Sequence, residues 1–506
     1  MGKEIKLQKS ANLTKSFFWV TFSNFIGKAL FFISSIVVAR ILYPEDFGIM
    51  SMAATFSGFI DVFNKLGIEA FVMSRKNLTK PDLDSVYLLN ISIRLISAII
   101  LISIGPFVAS IYKTPEVQYI LIFSGISFFV SSFSSIPRAV LLINLKFDVV
   151  SKIEMVQNLI NVCLIIIMAL GGFRYLSFVI PLLITNLVVS IIYLVLTKWK
   201  FSNNFNKKTL TEVFVYSKSF LPKTMLSYFV YNSDYIFVGY MLGSKLLGYY
   251  FFGFDKAFLV VSVAFTIICR IFFPVLSRAQ SDPHELKRVF FDLIEKSAFI
   301  LYPLIFIQII LANEIITTIY GTRWINSIFI FQLILGYTFG RVIASNIHIL
   351  FDAVNMPHQN LKHFIVITPI CVIALFLGTI FGGLIGVSFA AFLIHSFAAI
   401  LLFIRVCKVF KWNLYEFILA SSKCFIPIIL QLPIIIPLKL YLNYFKVPDI
   451  ITLLIITPLI MILYLIFTRI FLKDIYKNFV LQFWQKISTK INLKLTSDRM
   501  PDYEKN

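Results

Sequence analysis

The feature that most restricts the fold of this chain is a series of apolar stretches, each long enough to cross a lipid bilayer as a helix. A transmembrane helix needs roughly 20 mainly apolar residues. Only 14% of the 506 residues are charged, whereas soluble proteins carry about 25%. We therefore predict an all-α integral membrane protein with about fourteen transmembrane helices, at about residues 16–40, 47–66, 84–108, 117–137, 153–170, 175–197, 214–241, 248–272, 289–318, 325–352, 364–381, 384–404, 413–436 and 448–468.

The positions of the cations predict the orientation of these spans. Loops on the cytoplasmic side of a membrane carry an excess of Lys and Arg. If both termini are cytoplasmic, most of the 46 Lys and Arg residues fall in the inner loops and the C-terminal tail. The outer segments then hold only Lys113, Arg174, Lys245, Arg323, Lys439 and Lys446. The alternation supports both the number of spans and a multi-pass topology with two cytoplasmic termini.

The net charge of +21 does not indicate a nucleic-acid partner. The cations lie in short loops between apolar stretches, where membrane topology and anionic lipid headgroups account for them. The sequence has no phosphate-binding loop of the ATPase type, and its five Cys and five His residues are dispersed. We expect no catalytic residue, no metal site and no cofactor, and the choice of coupling ion between H⁺ and Na⁺ stays open.

The two halves of the chain carry matching landmarks, which indicate an internal duplication. The sequence TKSF at residues 14–17 opens the first span, and SKSF at 217–220 opens the seventh. The pair FG at 47–48 then begins the second span, and LG at 247–248 begins the eighth. Parallel repeats of this kind occur in transporters whose substrate site lies between the halves.

The most polar internal loop separates these halves and sets the predicted domain boundaries. We predict an N-terminal lobe at residues 1–197, a cytoplasmic basic linker at 198–213 and a C-terminal lobe at 214–409. Two further spans follow at 410–472. In the tail at 473–506, apolar residues recur at steps of three and four among lysines, which predicts a basic amphipathic helix on the inner leaflet.

Several ionisable side chains lie deep inside predicted spans. A charge at the bilayer centre costs at least ~2.5–3.5 kcal/mol, so such groups face the bundle interior or water. A structural ion pair is the alternative for each of them, but Lys28, Arg94 and Arg341 are too deep for the side chain to reach the interface easily. The candidate residues of a substrate cavity are Lys28, Asp61, Arg94, Lys223, Asp234, Asp255, Lys256 and Arg341.

Cations outnumber acids in this set, which indicates the charge of the substrate. A low-dielectric cavity lined with cations attracts an anion such as a pyrophosphate. A cavity for organic cations is expected to favour acidic groups instead. Asp255 and Lys256 are neighbours in one helix, so they point about 100° apart and cannot both face one partner.

Four segments carry a resemblance to a known family. They are SSIVVARILYPEDFGIMSMAATF at 34–56, NSDYIFVGYMLGSKLLGYYFFGFDKAF at 232–258, FFPVLSRAQSD at 272–282 and IYGTRWINS at 319–327. In this order, they resemble the Wzx-type polysaccharide flippases of the multidrug/oligosaccharidyl-lipid/polysaccharide exporter superfamily. The subgroup that handles colanic-acid-like and teichuronic-acid-like polymers is the most similar.

The resemblance implies two six-helix lobes, related by a pseudo-two-fold axis around a central cavity, and two extra C-terminal helices. It implies that a polyprenyl-pyrophosphate-linked oligosaccharide crosses the bacterial inner membrane by alternating access, for assembly of O-antigen, capsule or exopolysaccharide. Spans one, two, seven and eight would line the cavity, which selects Lys28, Asp61, Lys223, Asp234, Asp255 and Lys256. Membrane lipids, a polysaccharide polymerase and a chain-length regulator are the further partners it implies.

Two other functions compete with a flippase. A cation-coupled multidrug antiporter of the same superfamily would share the fold, but the cationic bias of the spans argues against it. An integral-membrane glycan polymerase or ligase is expected to carry a large outer loop with catalytic residues. The longest predicted outer loop here is the short segment 437–447, so the sequence favours a transporter over an enzyme.

Overall fold

Helices form all of the regular secondary structure in the described part of the chain. The computed structural model describes residues 13–64, 68–75, 78–200, 206–218 and 221–477. Most of the predicted amphipathic tail helix lies outside these ranges, so that helix stays a prediction. The main α-helices are α1 Leu13–Ile41, α2 Pro44–Asn64, α3 Ile68–Ser74, α4 Lys80–Tyr112, α5 Glu116–Ile143, α6 Phe147–Leu170, α7 Leu176–Thr197, α8 Lys207–Lys218, α9 Leu221–Ala279, α10 Pro283–Ile310, α11 Ala312–Ile315, α12 Ile328–Ala353, α13 Pro357–Phe410, α14 Leu414–Ser422, α15 Phe425–Tyr444, α16 Asp449–Phe471 and α17 Lys473–Ile475.

Many of these helices have the length and composition of membrane spans. Within the described residues, eleven helical segments are long and apolar enough to cross a bilayer. A π-helical turn at Ile316–Tyr320 and a 3-10 helix at Thr322–Ser327 connect α11 to α12. The prediction of an all-α, multi-pass membrane protein is therefore confirmed.

Two of the long helices are hairpins that reverse at a glycine. The backbone of α9 leaves the helical region at Gly243, with φ 83° and ψ 176°. Tyr250 donates a hydrogen bond of 2.8 Å to Asp234, although sixteen residues of straight helix would separate them by about 24 Å. In α13 the break is at Gly383, with φ 53°. We call the arms α9a (221–242), α9b (244–279), α13a (357–382) and α13b (384–410).

The chain divides into two compact units. The first comprises Met1–Asp255, Ile319–Ile330 and Pro357–Ile394. Polar contacts join its helices: Ser23 on α1 donates to the Ser151 carbonyl of α6 at 2.8 Å. Arg138 on α5 binds both Glu69 of α3 and Glu154 of α6, at 2.9 and 2.7 Å. These shared partners offset the cost of placing charge inside a helical bundle.

The second unit comprises Lys256–Thr318, Phe331–Met356 and His395–Asn506. Ion pairs attach its C-terminal helices to α10 and α11. Lys439 of α15 binds Glu314 at 2.9 Å, and Glu314 is almost completely buried. Lys423, between α14 and α15, binds Glu295 of α10 at 2.9 Å. The segment predicted as one span at 413–436 lies within the candidate span Leu414–Tyr444, which is interrupted between α14 and α15 at this pair.

Candidate substrate cavity and its closed end

Two glycines bring backbone against backbone where α1 turns into α2 and where α9 reverses. A Cβ atom at Gly48 would stand 1.8 Å from the Ser244 carbonyl oxygen, and one at Gly248 would stand 1.7 Å from that of Pro44. Both distances are far below van der Waals contact, so only glycine fits at either position. We call these two reciprocal approaches the glycine contact. The end of the first unit at which they lie is called the closed end.

An aromatic cluster fills the space beside the glycine contact. Trp324 is fully buried, stacks on Phe252 with ring centroids 3.8 Å apart and meets the edge of Phe47 at 5.0 Å. Tyr320 packs edge-on against Phe252 at 5.1 Å. Aromatic rings in such geometries add about 0.5–1.5 kcal/mol per pair beyond their buried area. The cluster therefore stabilises the closed end and excludes water from it.

The segment IYGTRWINS binds the last carbonyl groups of α1. The last carbonyls of a helix have no partner within the helix. Arg323 donates to the Leu42 carbonyl at 2.7 Å, and the Trp324 indole donates to the Ala39 carbonyl at 2.9 Å. In return, Arg40 donates to the Ile319 carbonyl at 3.0 Å. The cations at this end of α1 thus have a structural function.

A tyrosine extends the contact between α2 and α9a away from the closed end. The Tyr228 hydroxyl lies 2.9 Å from the Thr55 carbonyl and 3.2 Å from that of Ala54. A Cβ atom at Gly58 would approach this hydroxyl to 2.3 Å. Helix α2 therefore contacts the α9 hairpin from Gly48 to Gly58, over about 15 Å of helix at 1.5 Å per residue. No sequence pattern indicates Tyr228, because its role depends on the carbonyl groups of α2 that face it.

Three of the predicted cavity residues remain accessible beyond this contact. Lys28 on α1 is exposed, and Asp61 on α2 and Lys223 on α9a are half-buried. Along its own helix, Lys28 lies roughly 20 Å from the closed end, Asp61 roughly 26 Å and Lys223 roughly 30 Å, at 1.5 Å per residue. Gly27, the neighbour of Lys28, instead faces α6, where its Cβ would meet Asn158 at 2.6 Å. Lys28 therefore points away from the α1–α6 interface.

Three other predicted residues lie in or beside α9b. Asp234 is almost fully buried and accepts hydrogen bonds from the Tyr250 hydroxyl and the Tyr235 amide, at 2.8 and 3.0 Å. The bond from Tyr250 joins the two arms of the α9 hairpin. Lys256 is buried, whereas the adjacent Asp255 is half-buried. The two neighbours have different environments, and a substrate role for any of the three stays a prediction.

The two arginines of the predicted set bind within their own units. In the first unit Arg94 donates to Asn90 at 3.2 Å and to Ser131 at 2.7 Å, which links α4 to α5. In the second unit the Arg341 guanidinium lies 4.1 Å from the centre of the Phe258 ring. Both side chains are half-buried. These contacts give each arginine a structural function, and their roles as substrate ligands stay predictions.

Lys28 on α1, Asp61 on α2, and Tyr228 and Lys223 on α9a all lie beyond the closed end along their helices, and we call these four residues the polar wall. An ammonium group such as that of Lys28 binds phosphate as a point charge, without requiring one sugar geometry. Asp61 lies within electrostatic range of Arg94. Within the described residues, no group of three or more His, Cys, Asp or Glu side chains is arranged to hold a metal ion. Recognition of an anionic group by these residues stays a prediction.

Comparison with known proteins places this arrangement in a family. A family model described as "Polysaccharide biosynthesis protein" matches residues 37–329, which include the glycine contact and the aromatic cluster. An uncharacterized membrane protein in the cps region of Klebsiella pneumoniae is 23% identical, over 83% of this chain and 87% of its own. The lipopolysaccharide biosynthesis protein WzxC of Escherichia coli is 19% identical, over 83% of this chain and 85% of its own.

Solved structures show a similar fold. The lipid II flippase MurJ, in an inward closed conformation, superimposes with a TM-score of 0.71 at 19% identity, covering 90% of this chain and 99% of MurJ. An inward-facing multidrug resistance transporter of the MATE family, from the MOP superfamily, gives a TM-score of 0.53 at 15% identity, covering 77% of this chain and 96% of its own. The predicted resemblance to this superfamily is confirmed.

Proposed function

Because the chain belongs to the polysaccharide biosynthesis protein family, we propose that it is a flippase for a lipid-linked oligosaccharide. It moves a polyprenyl-pyrophosphate-linked repeat unit from the cytoplasmic to the outer leaflet of the bacterial inner membrane, for surface polysaccharide assembly. The single observation that carries this proposal is the exposed residue Lys28, which lies within a membrane-spanning helix at roughly 20 Å from the closed end. The relative WzxC, named for lipopolysaccharide biosynthesis, supports the same substrate class.

The contacts at the closed end support an alternating-access cycle. They consist of hydrogen bonds, ring packing and backbone approach between α1–α2 and α9, with the 319–327 segment as a clamp. Such contacts can separate together when two groups of helices move as rigid bodies. In this cycle the closed end is the outer gate, and the polar wall beyond it receives the pyrophosphate from the cytoplasm.

The helix arrangement supports fourteen spans related by duplication. The eleven apolar segments do not include α9, so its two arms bring the number to thirteen. Counting the two arms of α13 separately brings it to the fourteen predicted. The glycine contact is itself reciprocal: Gly48 meets Ser244, and Gly248 meets Pro44. Because positions 44 and 48 correspond to 244 and 248 in the predicted repeats, these two contacts are equivalent, as a pseudo-two-fold axis between them requires.

A reconstituted flipping assay tests the function. The full chain is placed in vesicles that contain a polyprenyl-pyrophosphate oligosaccharide with a fluorophore on the sugar, and an impermeant reductant is added outside. Protein-free vesicles lose only the outer-leaflet fluorescence, whereas vesicles with the protein are expected to lose nearly all of it. No loss beyond the protein-free level, with folded protein, contradicts the proposal. Uptake of an organic cation instead indicates an antiporter, and elongated glycan on a gel indicates a polymerase.

The proposed orientation has its own test. In a variant without native cysteines, single cysteines at Lys113, Lys245 and Lys207 occupy exposed positions. An impermeant maleimide added to intact cells is expected to label positions 113 and 245 but not 207, because the cation distribution places the linker in the cytoplasm. Labelling at 207 to the same extent as at 113 contradicts cytoplasmic placement of the linker, and lysed cells provide the control for reactivity.

A further inference from the structure

The linker helix α8 presents a face that combines lysines with apolar side chains. At 100° per residue, the buried residues Thr209, Val213 and Ser217 lie on one side of the helix. The exposed residues occupy an arc of roughly 120° on the opposite side. We call this arc the α8 face, and it consists of Lys207, Lys208, Thr211, Phe214, Val215 and Lys218.

The buried side of α8 is fixed to the first unit. Val213 joins a core cluster with Phe71 and Leu83, and the Tyr216 ring packs on Phe71 at 5.9 Å. Glu212 binds Arg75 at 2.9 Å. The helix is therefore held at a constant position and orientation, so its exposed face has a fixed direction.

Hydrogen bonds place α8 at the end of a membrane span. Asp82 in the first turn of α4 accepts from Thr209 and from the Asn206 side chain, at 2.6 Å each. The helix α4 has 33 residues, so it is about 50 Å long, whereas the hydrocarbon core of a bilayer is about 30 Å thick. Its first turn, and with it the start of α8, therefore reaches the headgroup region.

A contact between a lysine and a tryptophan ring lies at the same end of α4 as α8. The Lys80 ammonium at the start of α4 lies 3.4 Å from the centre of the Trp199 ring, just beyond the end of α7. Trp199 also packs against Tyr87 at 5.4 Å. Trp and Tyr concentrate at membrane–water interfaces, where one part of the ring is apolar and the other hydrated.

We propose that the α8 face binds anionic phospholipid headgroups of the leaflet at this end of the protein. Phe214 and Val215, 71% and 62% exposed, enter the boundary between headgroups and acyl chains. The three lysines pair with lipid phosphates, and the one acidic residue of α8, Glu212, is bound to Arg75 outside the face. Membrane-surface helices combine a cationic face with apolar anchors in this way. This inference does not depend on the transport activity.

Spin-label depth measurements on the full chain test the proposal. A nitroxide at position 211, in the middle of the α8 face, is compared in nanodiscs of phosphatidylcholine with and without phosphatidylglycerol, in a variant without native cysteines. We expect phosphatidylglycerol to raise collisions with lipid-soluble oxygen and to lower collisions with a water-soluble nickel chelate. The triple variant K207Q/K208Q/K218Q is expected to lose this lipid-dependent shift, and Phe214→Ser to reduce label depth in both lipids.

A matched variant separates local binding from net charge. The triple variant K113Q/K245Q/K446Q removes the same charge at exposed positions outside α8, and it is expected to keep the full phosphatidylglycerol shift. Equal loss of the shift in both triple variants overturns the proposal. A label that meets the nickel chelate as freely in nanodiscs as in detergent also overturns it, and indicates a face directed at water and open to a soluble partner.

Discussion

Replacing Gly48 or Gly248 with alanine is expected to stop export almost completely while the protein still inserts and accumulates. The added Cβ atom would stand 1.8 or 1.7 Å from a backbone carbonyl oxygen of the facing turn, so the two turns must separate by more than an ångström. Overpacking of this kind costs typically about 1–3 kcal/mol. A cost in this range lowers the ratio of the closed to the open outer gate by roughly 5- to 150-fold. A flippase that cannot close its outer gate cannot return to collect substrate.

The measurement combines surface polysaccharide with gate accessibility. Export is measured with Lys28 in place. In a separate variant, a single cysteine at position 28 reports whether an impermeant reagent reaches the polar wall from outside the cell, and its labelling is expected to rise when Gly48→Ala is added. The control is Gly382→Ala, because a Cβ atom there meets no neighbouring atom within 4 Å and its backbone is not left-handed. The prediction is contradicted if Gly48→Ala leaves both export and the labelling of position 28 unchanged while the Gly382→Ala control is also normal. The glycine contact would then open and close without steric restriction.

The lengths and order of the helices were predictable because bilayer thickness acts on every span alike. The predicted boundary between spans seven and eight falls on the reversal at Gly243, and that between spans eleven and twelve on Gly383. A glycine between two apolar stretches is a strong local signal, because few other residues adopt the required backbone angles. The duplication signal also anticipated positions 48 and 248, although the sequence did not reveal that they contact each other's turns.

The partners of buried charges were not predictable, since they lie far apart in sequence. Lys423 binds Glu295, and Asp234 binds Tyr250. Depth in a span indicates that a charge needs a partner, but it does not say whether that partner is protein or substrate. Asp234 was placed in the cavity set because of its depth and because the resemblance assigns span seven to the cavity, and the structure gives it a bond within the α9 hairpin. Exposure of a charged residue is therefore a better indication of a substrate-binding role than its depth in the span, and it favours Lys28.

Substituting Lys28 with alanine is expected to abolish surface polysaccharide at normal protein levels. The residue is exposed on a helix that crosses the membrane, and ionisable side chains at such a depth commonly mark substrate pathways. Charge-assisted hydrogen bonds contribute about 1.5–3 kcal/mol, which corresponds to a roughly 10- to 150-fold loss of affinity for the pyrophosphate. The Lys28→Arg variant keeps the charge and is expected to retain part of the activity.

The flipping assay distinguishes this role from a structural one. If Lys28 binds the pyrophosphate, Lys28→Ala raises the substrate concentration for half-maximal flipping, and Lys28→Arg restores it in part. If Lys28 only stabilised the fold, Lys28→Ala would lower the protein level and leave that concentration unchanged.

Lys245→Ala is the control, because it removes an exposed cation from the closed end and is expected to flip normally. Lys423→Ala, which leaves Glu295 without its partner, is expected to reduce protein levels rather than affinity. Normal polysaccharide from a stably expressed Lys28→Ala variant would refute the pyrophosphate-binding role and leave Tyr228, Lys223 and Asp61 as the remaining wall of the pathway.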